Sequence, residues 1–536
     1  MQTLNLGILA HVDAGKTSLT ERLLFDNGAT RALGSVDRGT TQTDTLDLER
    51  QRGITIRTAV ASFTVAGTII NIIDTPGHPD FIAEVERSLS VLDGAILVVS
   101  AVEGVQAQTH ILMRALTRLA IPTLVFINKT DRAGADPDRV RADIRTKLHA
   151  DAPVYAGSAI TGAGVAELTA AIVDRLPRAA VDPHAPLSGR VFKIERDPAG
   201  HKIAYARLFA GAIHPRDRVP FGAGYAARVT AVQTVGTIVK LSGLAEVQVG
   251  DALGQATGPA TRQFAPPTLE SVVVPQHPSD SGALHVALSL LAEQDPLINL
   301  RQDDVRGEIS VSLYGEVQKE VIADTLASSY GLAVNFQPST TICVERPAGT
   351  GTALESGQRG DPFLATVGLR VEPAPIGSGL RYQCDPSVAG TMPAAFFKAV
   401  EDTVHQTLQQ GLSGWQVTDC LVTLTHTGYL PRQSHAHARF DKSMSSTGAD
   451  FRGLTPLVLM DALKQARTVV CEPLHHFRLD APADTLAHLL PVLAGLRAVV
   501  STTMPQGDSC VLEGEIPAAQ VHQLQQRLPG LSRGQA

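Results

Sequence analysis

Short apolar runs alternate with segments of helical period along the first 180 residues of the chain. Residues 18–25 and 108–119 carry apolar side chains at the three- and four-residue spacing of a core-facing helix. The apolar runs have the length and continuity of buried strands, and they lie at residues 4–9, 69–73, 95–100 and 123–127. Strands that alternate with helices in this way predict an α/β domain.

The pattern changes after residue 186. Short β-like runs between residues 188 and 262, separated by Gly and Asp, predict a small β-barrel. Residues 268–345 predict the order β-α-β-β-α-β, with one strand at residues 297–302, and this is the order of a ferredoxin-like domain. A similar order begins near residue 472 and lacks a closing strand. We therefore expect a second ferredoxin-like domain that is incomplete at its C-terminus.

A further segment, residues 346–470, separates these two units. It combines a helix at residues 394–410 with a strand in which Val422 and Leu424 alternate with threonines, and that strand runs into a long irregular segment at residues 429–452. We call this irregular segment the tip loop. Composition alone slightly favours a solvated surface loop. A basic, Ser- and His-rich segment after a strand is nevertheless what a contact with the phosphate backbone of RNA would use. The candidate contact residues are Tyr429, Pro431, Arg432, His435, His437, Arg439 and Lys442.

Proline-rich segments at residues 177–186 and 264–267 are typical of linkers between domains. A length of 536 residues is enough for several domains of ordinary size. The predicted domains are residues 1–180, 187–263, 268–345, 346–470 and 471–536.

Composition and charge narrow the class of protein. Hydrophobic residues make up 44% of the chain and charged residues 18%, which indicates packed cores. The net charge of −7 does not indicate a nucleic-acid binder, so any RNA contact must come from a local basic patch. Five widely separated cysteines without C-x-x-C spacing predict thiols in a reducing cytoplasm. The sequence contains no long uncharged apolar stretch, so we expect no membrane segment.

The first strand and the first helix are joined by residues 10–17, AHVDAGKT. A loop that ends in Gly-Lys-Thr between a strand and a helix is typical of a P-loop, whose backbone N–H groups surround a polyphosphate. In such a loop Lys16 neutralises the β- and γ-phosphate oxygens, and Thr17 places a hydroxyl on Mg²⁺. Ala10 stands where the general pattern has Gly. An ordinary glycine-containing loop is the alternative interpretation.

Two later segments are candidates for sensing the γ-phosphate. Thr55 lies at the start of a strand. The polar, Thr- and Asp-rich stretch before it shows no regular spacing of apolar residues, and the Thr55 hydroxyl can bind Mg²⁺ when that stretch is held in place. Asp74 ends the next apolar run and can hold Mg²⁺ through water. Gly77 can bring its N–H to the γ-phosphate, and His78 can orient the attacking water. A solvated loop histidine is the alternative for His78.

A base-recognition motif follows the strand at residues 123–127. The carboxylate of Asp131 suits the adjacent N1–H and N2–H₂ donors of guanine, a pair that adenine lacks. Asn128 would orient the base, and the stem of Lys129 would cover its face. The backbone N–H groups near Ser158 and Ala159 are available to the guanine carbonyl oxygen. The predicted nucleotide is GTP.

The motifs at residues 10–17, 52–55 (RGIT), 74–78 (DTPGH) and 128–131 (NKTD) resemble those of the GTPase domain of translation factors. The resemblance implies GTP hydrolysis stimulated by the large ribosomal subunit, with His78 as the catalytic histidine. The expected nucleotide-binding residues are Asp13, Ala14, Gly15, Lys16, Thr17, Ser18, Asp74, Gly77, Asn128, Lys129, Asp131, Ser158 and Ala159. The expected Mg²⁺ ligands are Thr17, Thr55 and Asp74.

The five-domain order resembles elongation factor G along the whole chain. Only about thirty residues separate Asn128 from Ser158, too few for the large insert that is typical of elongation factor G at that point. The sequence is therefore most similar to the tetracycline-resistance ribosomal protection proteins. It also resembles them in local segments at residues 414–420, 449–452, 454–459 and 514–518.

The resemblance implies a multidomain α/β and α+β fold: a P-loop GTPase domain, a β-barrel, two ferredoxin-like domains and an elongation factor G-like tip domain. It implies a cytoplasmic protein, monomeric off the ribosome, that binds the 70S ribosome with GTP and dislodges tetracycline from the decoding region. Two alternatives stay open at this point. One is a translocase similar to elongation factor G, and the other is a ribosome-binding module without productive hydrolysis.

Overall fold

The computed structural model describes residues 2–34, 41, 47–52, 54–148, 152–178, 181–197, 199–222, 225–255, 266–303, 307–357, 361–431, 445–506 and 509–531. No helix within these ranges is long and apolar enough to cross a membrane.

A six-stranded sheet covered by helices forms the first part of the chain. Its strands are β1 Gln2–Ala10, β2 Ala59–Val65, β3 Thr68–Asp74, β4 Gly94–Ser100, β5 Thr123–Asn128 and β6 Val154–Ala156. Its helices are α1 Lys16–Asp26, α2 Asp47–Arg52, α3 Ile82–Leu89, α4 Ala107–Arg118, α5 Pro137–Lys147 and α6 Val165–Arg175. The strand order is β2-β3-β1-β4-β5-β6, and every pairing is parallel except that of β2 with β3. The prediction of an α/β domain is confirmed.

Burial of the sheet on both faces explains why its strands are continuous apolar runs. The side chains of β4 are all buried, and separate apolar clusters lie on the two faces of the sheet. The carboxyl ends of β1, β3 and β5 bring Ala10, Asp74 and Asn128 to the same edge of the sheet. In parallel α/β sheets this edge is where ligands bind.

The second unit is a small β-barrel. Its strands are β7 Ser188–Arg196, β8 Lys202–Ala210, β9 Arg218–Phe221, β10 Tyr225–Arg228, β11 Ala231–Val235, β12 Ile238–Ser242 and β13 Ala252–Gly254. The antiparallel order β10-β9-β13-β7-β8-β12-β11 places β10 and β11 at opposite edges, although only two residues separate them in the chain. Val229 N–H donates to Asp217 and Thr230 N–H donates to Ser242, so this one stretch joins both edges. The predicted barrel is confirmed.

The third unit has the ferredoxin-like order. Its elements are β14 Leu269–Pro275, α7 Ser281–Gln294, β15 Arg301–Asp303, β16 Glu308–Leu313, α8 Glu316–Tyr330, β17 Val334–Phe336 and the short β18 Thr340–Thr341. The antiparallel strand order is β15-β16-β14-β17. The strand predicted at residues 297–302 is wrong in its first half, because Pro296–Ile298 is a 3₁₀ turn in which Asp295 accepts the N–H of Leu297.

The tip domain carries a four-stranded sheet under two helices. Its elements are β19 Val344–Pro347, β20 Gly351–Ser356, β21 Ala365–Pro373, β22 Leu380–Cys384, α9 Ala394–Thr407, β23 Gln416–Val417, β24 Cys420–Tyr429, α10 Gly448–Ala466 and β25 Thr468–Cys471. The main sheet has the order β20-β21-β24-β22, and β19 pairs with β23 and β25 in a smaller sheet. Val400, Phe451 and Leu459 from the two helices are buried with Val422 and Leu424 of β24.

The last unit contains β26 Leu474–Pro482, α11 Leu486–Gly495, β27 Val499–Gln506, β28 Ser509–Pro517 and α12 Ala518–Leu531. Its antiparallel strand order is β26-β28-β27, which is the order of the first three strands of a ferredoxin-like sheet. The fold class expected from the sequence is confirmed. The exact domain limits, including the incompleteness expected of the last domain, remain predictions.

Candidate nucleotide site

The loop after β1 has the backbone shape of a phosphate-binding loop. Asp13 and Gly15 both have positive φ values, 61° and 87°, and helix α1 starts directly afterwards at Lys16. A Cβ atom at Gly15 would lie 2.3 Å from Asn128 Nδ2, so glycine is required both for its conformation and for space. Ala14 lies in this loop and is buried, and Ser18 lies in the first turn of α1. The first-turn N–H groups of α1 therefore face the same edge as the strand ends.

Four predicted site residues meet in one buried cluster. Lys16 Nζ lies 2.5 Å from Asp74 Oδ1 and 3.1 Å from Thr55 Oγ1, and Thr17 Oγ1 lies 3.0 Å from Thr55 Oγ1. All four side chains are buried. The structure thus brings together residues that are distant in the chain, since 58 positions separate Lys16 from Asp74.

The donor set of this cluster suits phosphate and Mg²⁺. Two hydroxyls and one carboxylate are the hard oxygen ligands that Mg²⁺ takes in nucleotide sites, where substrate phosphates complete the coordination. The Lys16 ammonium is the charge that β- and γ-phosphate oxygens require. The described residues contain no group of three or more His, Cys, Asp or Glu side chains able to hold a metal. A Mg²⁺ site here accordingly depends on hydroxyls and phosphate.

Thr55 is held in place by a glutamate that sequence analysis missed. Glu49 is fully buried on α2, and its Oε1 accepts the N–H groups of Ile56 at 2.9 Å and Arg57 at 3.0 Å. Helix α2 lies at the end of a stretch for which the sequence predicted a loop, because five of its six residues are polar and show no period. The role of Glu49 is therefore seen only in its hydrogen bonds.

The segment after β3 carries Gly77 and His78. A Cβ at Gly77 would lie 3.5 Å from the Ala10 carbonyl oxygen, so this backbone runs beside the phosphate-binding loop. The Gly77 carbonyl accepts from Gln108 Nε2 at 2.6 Å. His78 is partly exposed, and its Nδ1 accepts the N–H of Asp80 at 3.2 Å. With Nδ1 used as an acceptor, Nε2 is the nitrogen that carries the proton of the neutral ring.

Asn128 connects the two loops of the site. Its Nδ2 donates to the carbonyl of Ala14 at 2.9 Å, and its Oδ1 accepts the N–H of Ala159 at 2.9 Å. The amide therefore fixes the phosphate-binding loop relative to the predicted base-binding loop. Motif spacing did not predict this bridging role.

The remaining base-site candidates surround Asn128. Lys129 has a φ of 66°, and its Nζ lies 3.5 Å from Glu103 Oε1. Asp131 is exposed at the end of this turn. Ser158 is buried and its Oγ accepts the N–H of Thr161 at 3.2 Å, while the carbonyl of Ala159 accepts from Arg22. All base-site candidates thus lie at one end of the sheet.

A buried histidine in the phosphate-binding loop also escaped the sequence analysis. His11 is 5% exposed, and its Nδ1 lies 3.2 Å from Thr109 Oγ1. Burial lowers the pKa of His11 to about 4, since the opposing effects of Glu103 and Asp13 are smaller. The ring is therefore neutral at physiological pH.

The tip loop is described at its start and at its end. The irregular segment predicted to reach residue 452 ends earlier, because helix α10 begins at Gly448 behind a capping box of Thr447 and Asp450. Tyr429 ends β24, with its ring 5.9 Å from that of Phe396, and Pro431 is exposed two residues later. The other candidates lie outside the described residues, and they are Arg432, His435, His437, Arg439 and Lys442. Their role remains a prediction.

Family models match most of the chain. The "Elongation factor Tu GTP binding domain" matches residues 1–178, and "Elongation Factor G, domain III" matches residues 264–338. "Elongation factor G, domain IV" matches residues 344–467, and "Elongation factor G C-terminus" matches residues 469–536. The first 178 residues are therefore a GTPase domain, which binds and hydrolyses GTP.

Similar proteins of known name cover the chain from end to end. The "Oxytetracycline resistance protein" of Streptomyces rimosus is 43% identical, over 100% of this chain and 94% of its own length. The "Tetracycline resistance protein TetM" of Streptomyces lividans is 44% identical, over 100% and 96%. The chain belongs to the tetracycline-resistance ribosomal protection family. The "Tetracycline resistance protein TetP" of Clostridium perfringens is 37% identical to this ribosomal protection protein, over 99% and 92%.

A crystal structure of a Thermus thermophilus protein shares the fold of this ribosomal protection protein. The TM-score is 0.64 at 22% sequence identity, over 99% of this chain and 95% of that one. The multidomain fold is thus shared by a chain of only 22% sequence identity.

Proposed function

We propose that this protein is a ribosome-stimulated GTPase that releases tetracycline from the decoding region of the 70S ribosome. It acts in the cytoplasm, dissociates from the ribosome after hydrolysis, and is a monomer when it is not bound there. The observation that carries the proposal is the buried cluster of Lys16, Thr17, Thr55 and Asp74. The names of the relatives point to tetracycline as the drug. The drug itself would not be altered, because the sequence carries no redox or transferase motif.

Hydrolysis at this site depends on position and charge. Lys16 would neutralise the β- and γ-phosphate oxygens, and the Thr17 and Thr55 hydroxyls with Asp74 would hold Mg²⁺. When bound there, Mg²⁺ would further neutralise the charge that develops on the phosphate oxygens. His78 directs Nε2 toward the attacking water, so no covalent enzyme intermediate is required.

Loss of the γ-phosphate provides the release step. Thr55 and Gly77 both lie on segments that the phosphate would hold beside Lys16, and hydrolysis removes that attachment. We infer that the GTP form binds the ribosome and that the GDP form dissociates from it. The tip loop would then reach the decoding region only in the GTP form.

The decisive experiment follows radiolabelled tetracycline bound to 70S particles. Adding the full chain with GTP should release the drug within one turnover, while Lys16→Ala should leave it bound because the phosphate site is lost. Arg114→Ala, an exposed cation of α4, is the matched control and should release the drug like the unaltered protein. Drug release without any dependence on GTP, or no release at all, would contradict the proposal.

The same preparation separates the two alternatives. A translocase would accelerate tRNA movement on drug-free ribosomes. A ribosome-binding module would bind GTP but show no increase in hydrolysis when ribosomes are added. Either result, if no drug is released, would favour that alternative over the protection function.

Guanine selectivity is tested separately by calorimetry with GTP and ATP. Asp131→Ala should weaken GTP binding by ~100-fold, because two donors of the base lose a charged acceptor. Asp138→Ala, an exposed carboxylate on α5, should bind GTP normally. Equal affinity of the unaltered protein for the two nucleotides would contradict the assignment of Asp131.

A further inference from the structure

Helix α8 of the ferredoxin-like domain is capped by a residue of the GTPase domain. The residue preceding α8 is Gly315, which has no side chain to accept the first N–H groups of the helix. Asp80 Oδ2 takes that place, accepting the N–H of Val317 at 2.9 Å and the N–H of Gln318 at 3.3 Å. A carboxylate at this position satisfies helix donors and also interacts favourably with the helix dipole.

Gly315 provides the space for this capping carboxylate. A Cβ atom at residue 315 would lie 2.2 Å from Asp80 Oδ1 and 2.4 Å from its Cγ. The φ of Gly315 is −172°, an extended conformation that any residue adopts. The absence of a side chain is therefore required by space alone, and an alanine here would expel the Asp80 carboxylate.

The same aspartate also contacts His78. Its backbone N–H donates to His78 Nδ1 at 3.2 Å, and its carboxylate Oδ1 lies 3.5 Å from that nitrogen. One residue thus spans the candidate water-orienting histidine and a helix of another domain. Because Nδ1 is occupied by this contact, the Asp80 segment sets the direction of Nε2.

Helix α8 contacts the Thr55 segment as well. Ile56 and Phe81 are buried against Val321 of α8, with Ile54 packed beside them. Arg52 of α2 forms an ion pair with Glu320 of α8. Both segments that the γ-phosphate would hold therefore converge on the first turns of one helix.

We propose that Asp80 is a positioning residue that orients His78 for GTP hydrolysis only while the first turn of α8 is docked against it. The ferredoxin-like domain then controls hydrolysis through the N-terminus of α8. This inference rests on the proposed role of His78 in the same site. It adds a device by which movement of the ferredoxin-like domain at residues 268–345 on the ribosome starts or delays hydrolysis.

The first test compares two glycine substitutions within the ferredoxin-like domain. Gly315→Ala should lower the ribosome-stimulated kcat for GTP by ~10-fold or more, since small displacements of a catalytic group have effects of that size. Its affinity for GTP should stay unchanged, because the phosphate and base sites are intact. Gly282→Ala in the first turn of α7 is the matched control, since a Cβ there meets no atom within 4 Å. It should retain the unaltered kcat.

A double substitution distinguishes positioning from general damage. In an Asp80→Ala background the space beside residue 315 is vacant, so Gly315→Ala should cause almost no further loss. Asp80→Asn, whose amide oxygen still accepts a helix N–H, should recover part of the kcat lost in Asp80→Ala. Additive losses in the double variant, with thermal unfolding unchanged, would overturn the proposal.

His78→Ala separates this proposal from the proposed function. If His78→Ala reduces kcat, then Gly315→Ala should add nothing in that background, because Asp80 acts through His78. A kcat that falls in His78→Ala and is unchanged in Gly315→Ala overturns the positioning role alone. An unchanged kcat in His78→Ala overturns the catalytic role of His78, and the positioning role with it.

Discussion

At the scale of single residues, the site is defined by buried polar groups whose partners come from distant parts of the chain. Asn128 joins two loops, and Glu49 holds the backbone that carries Thr55. His11 of the phosphate-binding loop is also buried, and its ring can take up a proton. Its Nε2 has no hydrogen-bond partner within the described part of the chain. Protonation of that ring is therefore costly.

The pKa of His11 predicts acid sensitivity. The folded-state pKa of about 4 lies below the ordinary value of 6.5, so the unfolded chain binds more protons between these two pH values. Stability should be fully present above pH 6.5 and should decline as the pH falls toward 4, by about 3 kcal/mol from this residue. Urea denaturation at several pH values measures the decline.

His11→Gln should reduce this dependence on pH, because the glutamine does not titrate. His405→Gln, an exposed histidine at the end of α9, is the control and should keep the unaltered decline. Identical pH profiles for His11→Gln and the unaltered protein would contradict the assignment to His11.

At the scale of elements, a buried glutamate organises the start of the tip domain. Glu345 of β19 accepts the N–H of Ser413 at 2.7 Å and of Trp415 at 3.1 Å through Oε1, and the hydroxyl of Thr468 at 2.7 Å through Oε2. Arg301 of the ferredoxin-like domain lies over the Trp415 ring, 5.1 Å from its centre. This glutamate thus joins β19 to the loop before β23 and to β25, beside the contact between the two domains.

Glu345→Ala should destabilise the tip domain by about 3 kcal/mol, because three partly buried hydrogen bonds to a fully buried carboxylate are lost. Glu355→Ala on β20, the next strand along the chain, is the control, since Glu355 is exposed. Trp415 is the single tryptophan of the chain, so its fluorescence during urea denaturation reports this region. Equal unfolding midpoints for the two variants would show that Glu345 is not structurally important.

At the scale of the whole molecule, a buried polar network fixes the barrel to the GTPase domain. Arg207 of β8 pairs with Asp93 and donates to the carbonyl of Val91 at 2.8 Å. Asn5 of β1 donates from Nδ2 to Asp93 at 2.9 Å and to Thr237 of the barrel at 2.9 Å. The contact between the two domains is therefore made by several paired polar groups with little exposure to solvent.

Arg207→Met should destabilise the protein by about 4 kcal/mol, because the carboxylate of Asp93 stays buried without its cation. The double variant Arg207→Met with Asp93→Asn should recover part of this loss, since no unpaired charge is left. A double-mutant cycle in urea measures the coupling. Fully additive effects would show that the two residues do not interact in solution.

The sequence itself determined much of the fold and of the site. Parallel strands buried on both faces must be continuous apolar runs, so the α/β domain could be predicted from the sequence alone. The P-loop, Asp74 and Asn128 stand at strand ends, and together with Asp131 they predicted GTP. Local patterns carry this information because it depends on neighbouring residues.

Only the tertiary structure decided which partners the buried carboxylates meet. Glu49, Asp80 and Glu345 are charged residues in segments without period, and nothing local distinguishes them from solvated surface groups. Their partners lie 7 or 8 residues away for Glu49, and 237 or 238 away for Asp80. A buried carboxylate is stable only where folding brings N–H donors or cations to it, and that arrangement is a property of the packed chain.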